Sequence, residues 1–309
     1  MQHIISKMAN DSRIVQTERY GETLGVRLLR ELANRGIFIF TTEDAKAVAA
    51  DLAIPETYLP QLLSRLAAGG WLLRLRRGLY AGMGKLPGSV EVHPFVVATS
   101  LVTPSAISHW SALHHHGLTE QVPRRVTASS PKKVVTPSMR TVRSQTRQPD
   151  VDLAEREEER EAGRHTWEIN GVEYEYHTAP GDRFFGIEEV WVDEHFRVPI
   201  YDKERSLLDC FALPRHFGGL GEALGILEEH ASELDLERLT QYALRYGKAS
   251  VAKRLGWALD RAGIPHRVTA PLAKLPMDGM RLLDPTRPRG GKYDERWMVQ
   301  DNLSAGGAR

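Results

Sequence analysis

The sequence contains very little cysteine and no long apolar run. Its single cysteine, Cys210, excludes an intramolecular disulfide and a zinc site built from several thiolates. No apolar stretch approaches the roughly 18 residues that a membrane-spanning helix needs. The first 20 residues also lack the apolar segment of a signal peptide. We therefore expect a cytoplasmic protein without a membrane partner.

Neither sign of charge is in excess over the whole chain. The 41 Lys and Arg residues balance 40 Asp and Glu residues, for a formal net charge of +1, so the overall charge indicates no particular partner. At 309 residues, 41% of them hydrophobic, the chain is long enough for two domains with separate cores. Charge is unevenly distributed, however: residues 121–149 contain seven basic and no acidic residues, whereas residues 152–161 contain six acidic ones.

Four histidines lie close together but do not form a recognisable metal motif. They are His109, His114, His115 and His116, and no two of them are three or four residues apart, as a metal-binding pair on one helix requires. Ser108 and His109 are adjacent, and adjacent helical residues point about 100° apart, so we expect no nucleophile–base pair there. The segment is interpreted as a packed helix with a polar last turn, ended by Gly117.

Other catalytic patterns are equally incomplete. Asp150 and Asp152 have the D-x-D spacing of nucleotidyltransferases, but the nearest Gly-Ser pair lies some sixty residues upstream. The glycines of "GGLGEAL" are not followed by Lys-Ser or Lys-Thr, so they form no phosphate-binding loop. A group of carboxylates is expected to form a solvated face: Glu188, Glu189, Asp193 and Glu194. The sequence therefore predicts a non-enzymatic protein with no catalytic residue, no metal and no cofactor.

The order of elements in residues 22–82 is typical of a winged helix-turn-helix. A leucine-rich helix is followed by the β-prone run "IFIF" and by a second helix, which Thr41 and Asp44 begin as a capping box. A third helix is predicted to begin at Pro55 and to end at Gly69-Gly70. The stretch "WLLRLRRGLYAG" then predicts a tight hairpin. In this fold the third helix enters a DNA groove beside the hairpin.

The predicted DNA contacts lie on the third helix and the hairpin. Residues 22–82 contain eight Lys and Arg against six Asp and Glu, so position matters more than total charge. Arginines would contact phosphates, and polar side chains near the start of the third helix would contact bases. The predicted set is Thr42, Glu56, Thr57, Tyr58, Gln61, Ser64, Arg65, Arg74, Arg76 and Arg77. The alternative is a winged helix that docks onto another protein.

A larger mixed α/β domain is predicted at residues 93–300, after a linker at 83–92. Two helices are expected first, in "HPFVVATSLV" and "PSAISHWSALHHHG". Strands are expected next, including a hairpin around Asn170-Gly171, and the second half from Lys203 is helical. An N-terminal extension at 1–21 and a disordered tail at 301–309 complete the predicted chain. Because strands and helices are segregated along the sequence, the predicted fold class is α+β.

The basic stretch is a second candidate surface. Its residues are Arg124, Arg125, Lys132, Lys133, Arg140 and Arg143, with Arg147 beyond them. The acidic segment that follows could neutralise it. Alternatively, it contacts phosphates or docks an acidic partner.

Four motifs follow one another along the chain: "RRGLYAG", "SAISHWSALHHHGL", "YDKERSLLDCFALPRHFGGLGEAL" and "LLDPTRPRGGKYDERW". In this order, and from about Glu22 to about Gln300, the chain resembles the AbiEi-type antitoxins of bacterial abortive-infection (type IV toxin–antitoxin) systems. The resemblance implies a phage-defence antitoxin whose winged helix binds inverted-repeat operator DNA and represses its own operon. It also implies that the C-terminal domain opposes a nucleotidyltransferase toxin encoded beside it, directly or indirectly. The N-terminal extension and the acidic insert 150–164 depart from the family pattern.

Three other hypotheses stay open at this point. The first is a stand-alone winged-helix regulator without a toxin. The second is a metal-dependent hydrolase or nuclease that uses the histidines and the carboxylates near Glu188. The third is a docking module that acts only through protein contact. Because repressors of inverted repeats occupy both half-sites, two copies per operator are expected.

Overall fold

The computed structural model describes residues 24–84, 91–134 and 165–303. They form an α+β fold that divides into two compact units, Met1–Leu101 and Val102–Arg309, so the predicted fold class is confirmed at this level. The extension 1–21, the acidic insert and Arg140, Arg143 and Arg147 lie outside the described residues. The predicted boundaries of linker and tail stay predictions. Within the described residues, no helix has the length and apolar character needed to cross a membrane.

The first unit consists of helices around a small antiparallel sheet. Its helices are α1 (24–34), α2 (Thr42–Asp51), α3 (Leu59–Ala68) and α4 (Pro94–Leu101). Its strands are β1 (Ile39–Thr41), β2 (Leu72–Arg76) and β3 (Leu79–Gly82), in the order β1-β3-β2. Leucines of α1 and α3 pack with Phe40 and Val48 in one apolar core.

The helix starts of the first unit follow from local chemistry. The predicted capping box is confirmed, because the Thr41 side chain accepts from the Asp44 N–H and the Asp44 carboxylate accepts from the Thr41 N–H. The single helix predicted from Pro55 is wrong in one respect. A 3-10 helix, Glu56–Tyr58, comes first, and α3 begins at Leu59 with Pro60 in its first turn, where a missing N–H costs nothing.

The predicted hairpin is confirmed as β2 and β3, joined at Arg77 and Gly78. Gly78 has φ +74°, a conformation that favours glycine. The register shifts between Arg74 and Arg76, which indicates a β-bulge. Because of this bulge, Leu72 and Leu75 are both buried while the two arginines are exposed.

The second unit contains a six-stranded mixed sheet. Its strands are β4 (Ala106–Ile107), β5 (Arg125–Ser130), β6 (His165–Ile169), β7 (Val172–Thr178), β8 (Ile187–Trp191) and β9 (Arg197–Tyr201). Their order is β6-β7-β5-β4-β9-β8. The β5/β7 and β4/β9 pairs are parallel and the others antiparallel. Asn170 and Gly171, both with positive φ, form the predicted hairpin turn between β6 and β7.

The helix predicted over residues 104–117 begins too early. Ala106 and Ile107 are fully buried and pair with β5 and β9 as a central strand. Helix α5 therefore spans only His109–His115, and it ends at His116 before Gly117, which has φ +69°. A short apolar run inside a sheet cannot be distinguished by pattern from the start of a buried helix.

The helical second half is confirmed. It contains α6 (Lys203–Ala212), α7 (Leu220–His230), α8 (Leu236–Tyr246), α9 (Ala249–Arg261) and α10 (His266–Ala273). A three-stranded sheet follows, with β10 (Arg281–Leu282), β11 (Lys292–Asp294) and β12 (Val299–Asp301) in the order β10-β12-β11. Trp297 lies directly against Gly256 of α9, where a Cβ would clash with the indole ring at 2.0 Å.

Candidate functional site

One face of α3 presents polar side chains to solvent. Gln61, Ser64 and Arg65 are exposed and spaced at i, i+3 and i+4, so they form one stripe along the helix. The opposite face buries four leucines: Leu59, Leu62, Leu63 and Leu66. Burial of the leucines fixes the rotation of α3, and the polar stripe therefore has to face outward.

The 3-10 helix before α3 carries three further predicted contacts. Glu56 and Thr57 are exposed, and Tyr58 is half-buried. The Glu56 carboxylate lies 3.2 Å from Lys46 Nζ on α2. The Tyr58 hydroxyl accepts a hydrogen bond of 3.5 Å from Arg65 Nη1. Both side chains are thus tied to neighbouring helices.

The hairpin presents exposed arginines beside the start of α2. Arg74, Arg76 and Arg77 are all exposed, and α3 packs against β2. The backbone N–H of Thr42 donates to the Gly78 carbonyl at 3.0 Å, which joins the first residue of α2 to the hairpin turn. The ten predicted DNA contacts therefore all belong to the first unit, eight of them exposed and only Thr42 and Tyr58 half-buried. Their contact with DNA stays a prediction.

The second basic surface is only partly described. Arg124, Lys132 and Lys133 are exposed, whereas Arg125 is half-buried on β5. Arg125 donates to Glu175, and its Nε lies 3.7 Å from Glu173 on the neighbouring strand β7. The charge of Arg125 is therefore matched within the sheet, so Arg125 is a weak candidate for binding an external anion.

The interpretation of the adjacent Ser108 and His109 is wrong. Ser108 Oγ lies 2.9 Å from His109 Nδ1 and 2.9 Å from Ser129 Oγ. Ser108 has an extended backbone at the start of α5, and His109 has φ +53°, so the angular spacing of helical neighbours does not apply to them. All three side chains are buried.

His109 also belongs to a cluster that the sequence did not predict. The cluster consists of His109, His177 and His216, and ring nitrogens of the three lie within 4.8 Å of one another. His177 lies near the end of β7, and His216 lies in the 3-10 helix Pro214–Phe217. Of the consecutive histidines, His114 and His115 are exposed, and His116 Nε2 contacts the Tyr201 carbonyl at 2.7 Å. Two members of the cluster are distant in sequence, so no spacing rule identifies it.

The cluster borders two cavities of the second unit. The larger has a volume of about 630 Å³ and is lined by His109 and His177 together with Arg205 and Asp209. The smaller, of about 410 Å³, is lined by all three histidines. Burial raises the pKa of the Asp209 carboxyl, although the Arg205 guanidinium that donates to it opposes the rise.

The carboxylates near Glu188 do not converge on a site. Glu188, Glu189 and Glu194 are exposed, as predicted for a solvated face. Asp193 accepts from the backbone N–H groups of His195 and Phe196 and so shapes the turn between β8 and β9.

Comparison with solved structures shows the same fold elsewhere. The chain matches the crystal structure of the RV2827C protein from Mycobacterium tuberculosis with a TM-score of 0.60 and 17% sequence identity. The match covers 90% of this chain and 90% of the RV2827C chain. This likeness shows the fold alone. Comparison with curated proteins gave no match.

A family model matches the first unit. Residues 27–81 match the family described as "Transcriptional regulator, AbiEi antitoxin". The matched segment begins within α1 and ends in β3, so it contains all ten predicted DNA contacts. The predicted resemblance to AbiEi-type antitoxins is confirmed by this match over residues 27–81.

Proposed function

We propose that the protein is an antitoxin and autorepressor whose first unit is a winged helix-turn-helix that binds operator DNA. On this proposal α3 enters the major groove and the hairpin of β2 and β3 lies beside it as the wing. The family match at residues 27–81 supports the regulatory role. The order of three helices, a strand and a hairpin supports the winged-helix assignment.

The observation that carries the proposal is the exposed face of α3 next to the arginine-bearing hairpin. Gln61 and Ser64 offer groups that can pair with base edges in the major groove. Arg76 and Arg77 are two cations at the hairpin end, where they would contact phosphates and supply sequence-independent affinity. Specific and non-specific binding are thus assigned to different side chains.

The second unit is proposed to oppose a nucleotidyltransferase toxin through binding rather than through catalysis. The exposed carboxylates near Glu188 are spread over the β8/β9 hairpin, and the buried Asp209 is engaged by Arg205. Both arrangements are typical of structural roles. The proposal places the protein in the cytoplasm, with two copies on each inverted repeat.

The proposal is tested by fluorescence anisotropy of the full chain with its own upstream DNA and a scrambled duplex, over a series of salt concentrations. We expect a preference of about a thousandfold or more for the upstream DNA and a steep salt dependence. Equal and weak binding to both duplexes would contradict it. The first unit would then be a protein-docking module.

The same assay separates the roles of the hairpin arginines. Arg76→Ala and Arg77→Ala should weaken binding to both duplexes alike and should each lower the salt slope by about one unit, because each removes one phosphate contact. Arg30→Ala is the matched control, since Arg30 is also exposed but lies on α1. If Arg76→Ala changed the sequence preference and left the salt slope intact, the assignment of phosphate contacts would be wrong.

A further inference from the structure

We propose that His109, His177 and His216 form a binding site for a divalent transition-metal ion, with Zn²⁺ as the preferred ion. The three imidazoles come from the start of α5, the end of β7 and the 3-10 helix Pro214–Phe217. Their nitrogens lie within 4.8 Å of one another, and His109 and His177 are buried. An ion here would link three elements that are distant in sequence.

The donor set determines the class of metal. Three imidazole nitrogens without a carboxylate suit Zn²⁺, Co²⁺, Ni²⁺ or Cu²⁺ and disfavour Mg²⁺ and Ca²⁺, which prefer oxygen ligands. Three protein ligands leave the fourth position of a tetrahedral ion open. Because both neighbouring cavities are lined by His109 and His177, that position is accessible to water or to a small donor ligand.

The surroundings of His177 resemble the outer shell of known metal sites. Its Nε2 lies 3.3 Å from the Glu175 carboxylate, so the ligand atom would be Nδ1. Glu175 is itself held by Arg125. A carboxylate that contacts the other ring nitrogen orients a metal-binding histidine and increases its basicity.

The contacts of His109 likewise indicate which of its two ring nitrogens would bind the ion. Its Nδ1 contacts Ser108 Oγ, which contacts Ser129 Oγ, so the ligand atom would be Nε2. The backbone of His109 is left-handed, with φ +53°. Such a conformation is unfavourable for a residue other than glycine and is concentrated at functional sites. The His109 ring lies beside the other two, with centroids 4.0 Å from that of His177 and 5.6 Å from that of His216.

Binding requires the rings to turn. The rings of His109 and His177 stack with centroids 4.0 Å apart and 20° between their planes, and His109 also stacks on Phe217. In stacked imidazoles the in-plane lone pairs run side by side and do not meet at one ion. With Zn–N bonds of about 2.0–2.1 Å, the nitrogens must also approach to roughly 3.4 Å. The stack of His109 and His177 must therefore open when an ion binds: one of these two rings turns, and its present contact, with Ser108 or with Glu175, shifts with it.

The test is a metal titration of the full-length chain after treatment with a chelator. We expect about one equivalent of Co²⁺ to bind with the visible absorption of a tetrahedral site and to be displaced by Zn²⁺. Excess Zn²⁺ should raise the thermal midpoint by several degrees, because three converging imidazoles bind the ion more tightly in the folded chain than in the unfolded one. Mg²⁺ should do neither.

Four variants distinguish the site from incidental binding. His109→Phe keeps a ring in the stack on Phe217 but removes the nitrogen, and it should weaken binding at least a hundredfold. His216→Phe should do the same. Glu175→Gln should keep the stoichiometry and weaken binding about 10- to 100-fold. His115→Ala, which changes an exposed histidine of the same helix, should bind as the unmodified chain does.

Either of two results would overturn the proposal. One is less than a tenth of an equivalent of bound Co²⁺ or Zn²⁺ with no change in the thermal midpoint. The other is unchanged binding in both His109→Phe and His216→Phe. The three histidines would then be an aromatic stack that packs on Phe217. Circular dichroism of each variant checks that a loss of binding is not a loss of fold.

Discussion

The two units of the molecule differ in where they keep their polar side chains. Within the described residues, every buried polar or charged side chain lies between Ser105 and Asn302, and the core of residues 24–101 is wholly apolar. The first unit has a leucine-rich core and keeps its charged side chains outside it. The second unit buries Arg205, Asp209, Glu204 and Asp284 among its helices.

This difference separates two ways of using charge. Exposed ion pairs such as Arg35 with Glu31 are surrounded by water and contribute little to stability. Such a surface can change its side chains, and so its binding specificity, without losing the fold. Buried pairs are costly to desolvate, and removing one partner is strongly destabilising because it leaves the other charge buried and unpaired. Removing one partner of an ion pair should therefore cost far more stability in the second unit than in the first.

The largest effect is expected at the buried pair of α6. Asp209→Ala should lower the free energy of unfolding by about 3–5 kcal/mol, because it leaves the Arg205 guanidinium buried without its carboxylate. Arg205 is only 2% exposed and lies over the rings of Tyr201 and Phe185, at 4.5 and 5.2 Å. Urea denaturation followed by circular dichroism measures the loss.

Two further variants make this a comparison between the units. Arg35→Ala in the first unit should cause no measurable change, although Arg35 contacts two carboxylates, Glu31 and Asp51. The double variant Arg205→Met, Asp209→Leu should recover most of the loss, since an apolar pair of similar volume removes the unpaired charge. If Asp209→Ala and Arg35→Ala lowered the free energy of unfolding equally, burial of the ion pair would not be what distinguishes the two units.

The structure of the first unit was largely predictable from the sequence because its described polar side chains all lie outside its core. An apolar core with polar residues outside produces regular spacing of leucines, and that spacing indicates both the helices and their exposed faces. The capping box at Thr41 and the hairpin at Arg77-Gly78 are signals within a few residues. The 3-10 helix before α3 was missed, because Pro55 and Pro60 both fit a first turn. Helix α4 was expected as the first helix of the larger domain, but it falls within the first unit.

Prediction failed in the second unit where distant residues meet. His109, His177 and His216 come together only after β5 and β7 pair and α5 packs beside them. The contact of Ser108 with His109 depends on a left-handed backbone that no residue type announces there. The strand Ala106–Ile107 is too short for any period to be read. The helical second half was predicted because its helices have local starts and stops.

A smaller effect is expected for base recognition. Gln61→Ala should reduce specific binding to the upstream DNA by about 1–3 kcal/mol and leave binding to scrambled DNA unchanged, because the proposal assigns the Gln61 amide to a base edge and not to a phosphate. Anisotropy at fixed salt measures both. Thr99→Ala on α4 is the control from outside the predicted contacts. A loss of equal size on both duplexes would contradict the assignment of Gln61 to sequence recognition.

The smallest effect on stability is expected at Thr41, the exposed N-cap of α2 in the first unit. The second unit has a buried N-cap for comparison, Asp202 of α6. Thr41→Ala should cost about 1 kcal/mol, because water replaces the lost bond to the Asp44 N–H. Asp202 caps α6 in the same way, by accepting from the Arg205 N–H at 2.7 Å, but it also accepts from the Tyr242 hydroxyl. Asp202→Ala should therefore cost more in the same urea denaturation, since water cannot replace both bonds in the interior. If the two caps cost the same, the difference between the units would concern charge pairs alone and not polar groups in general.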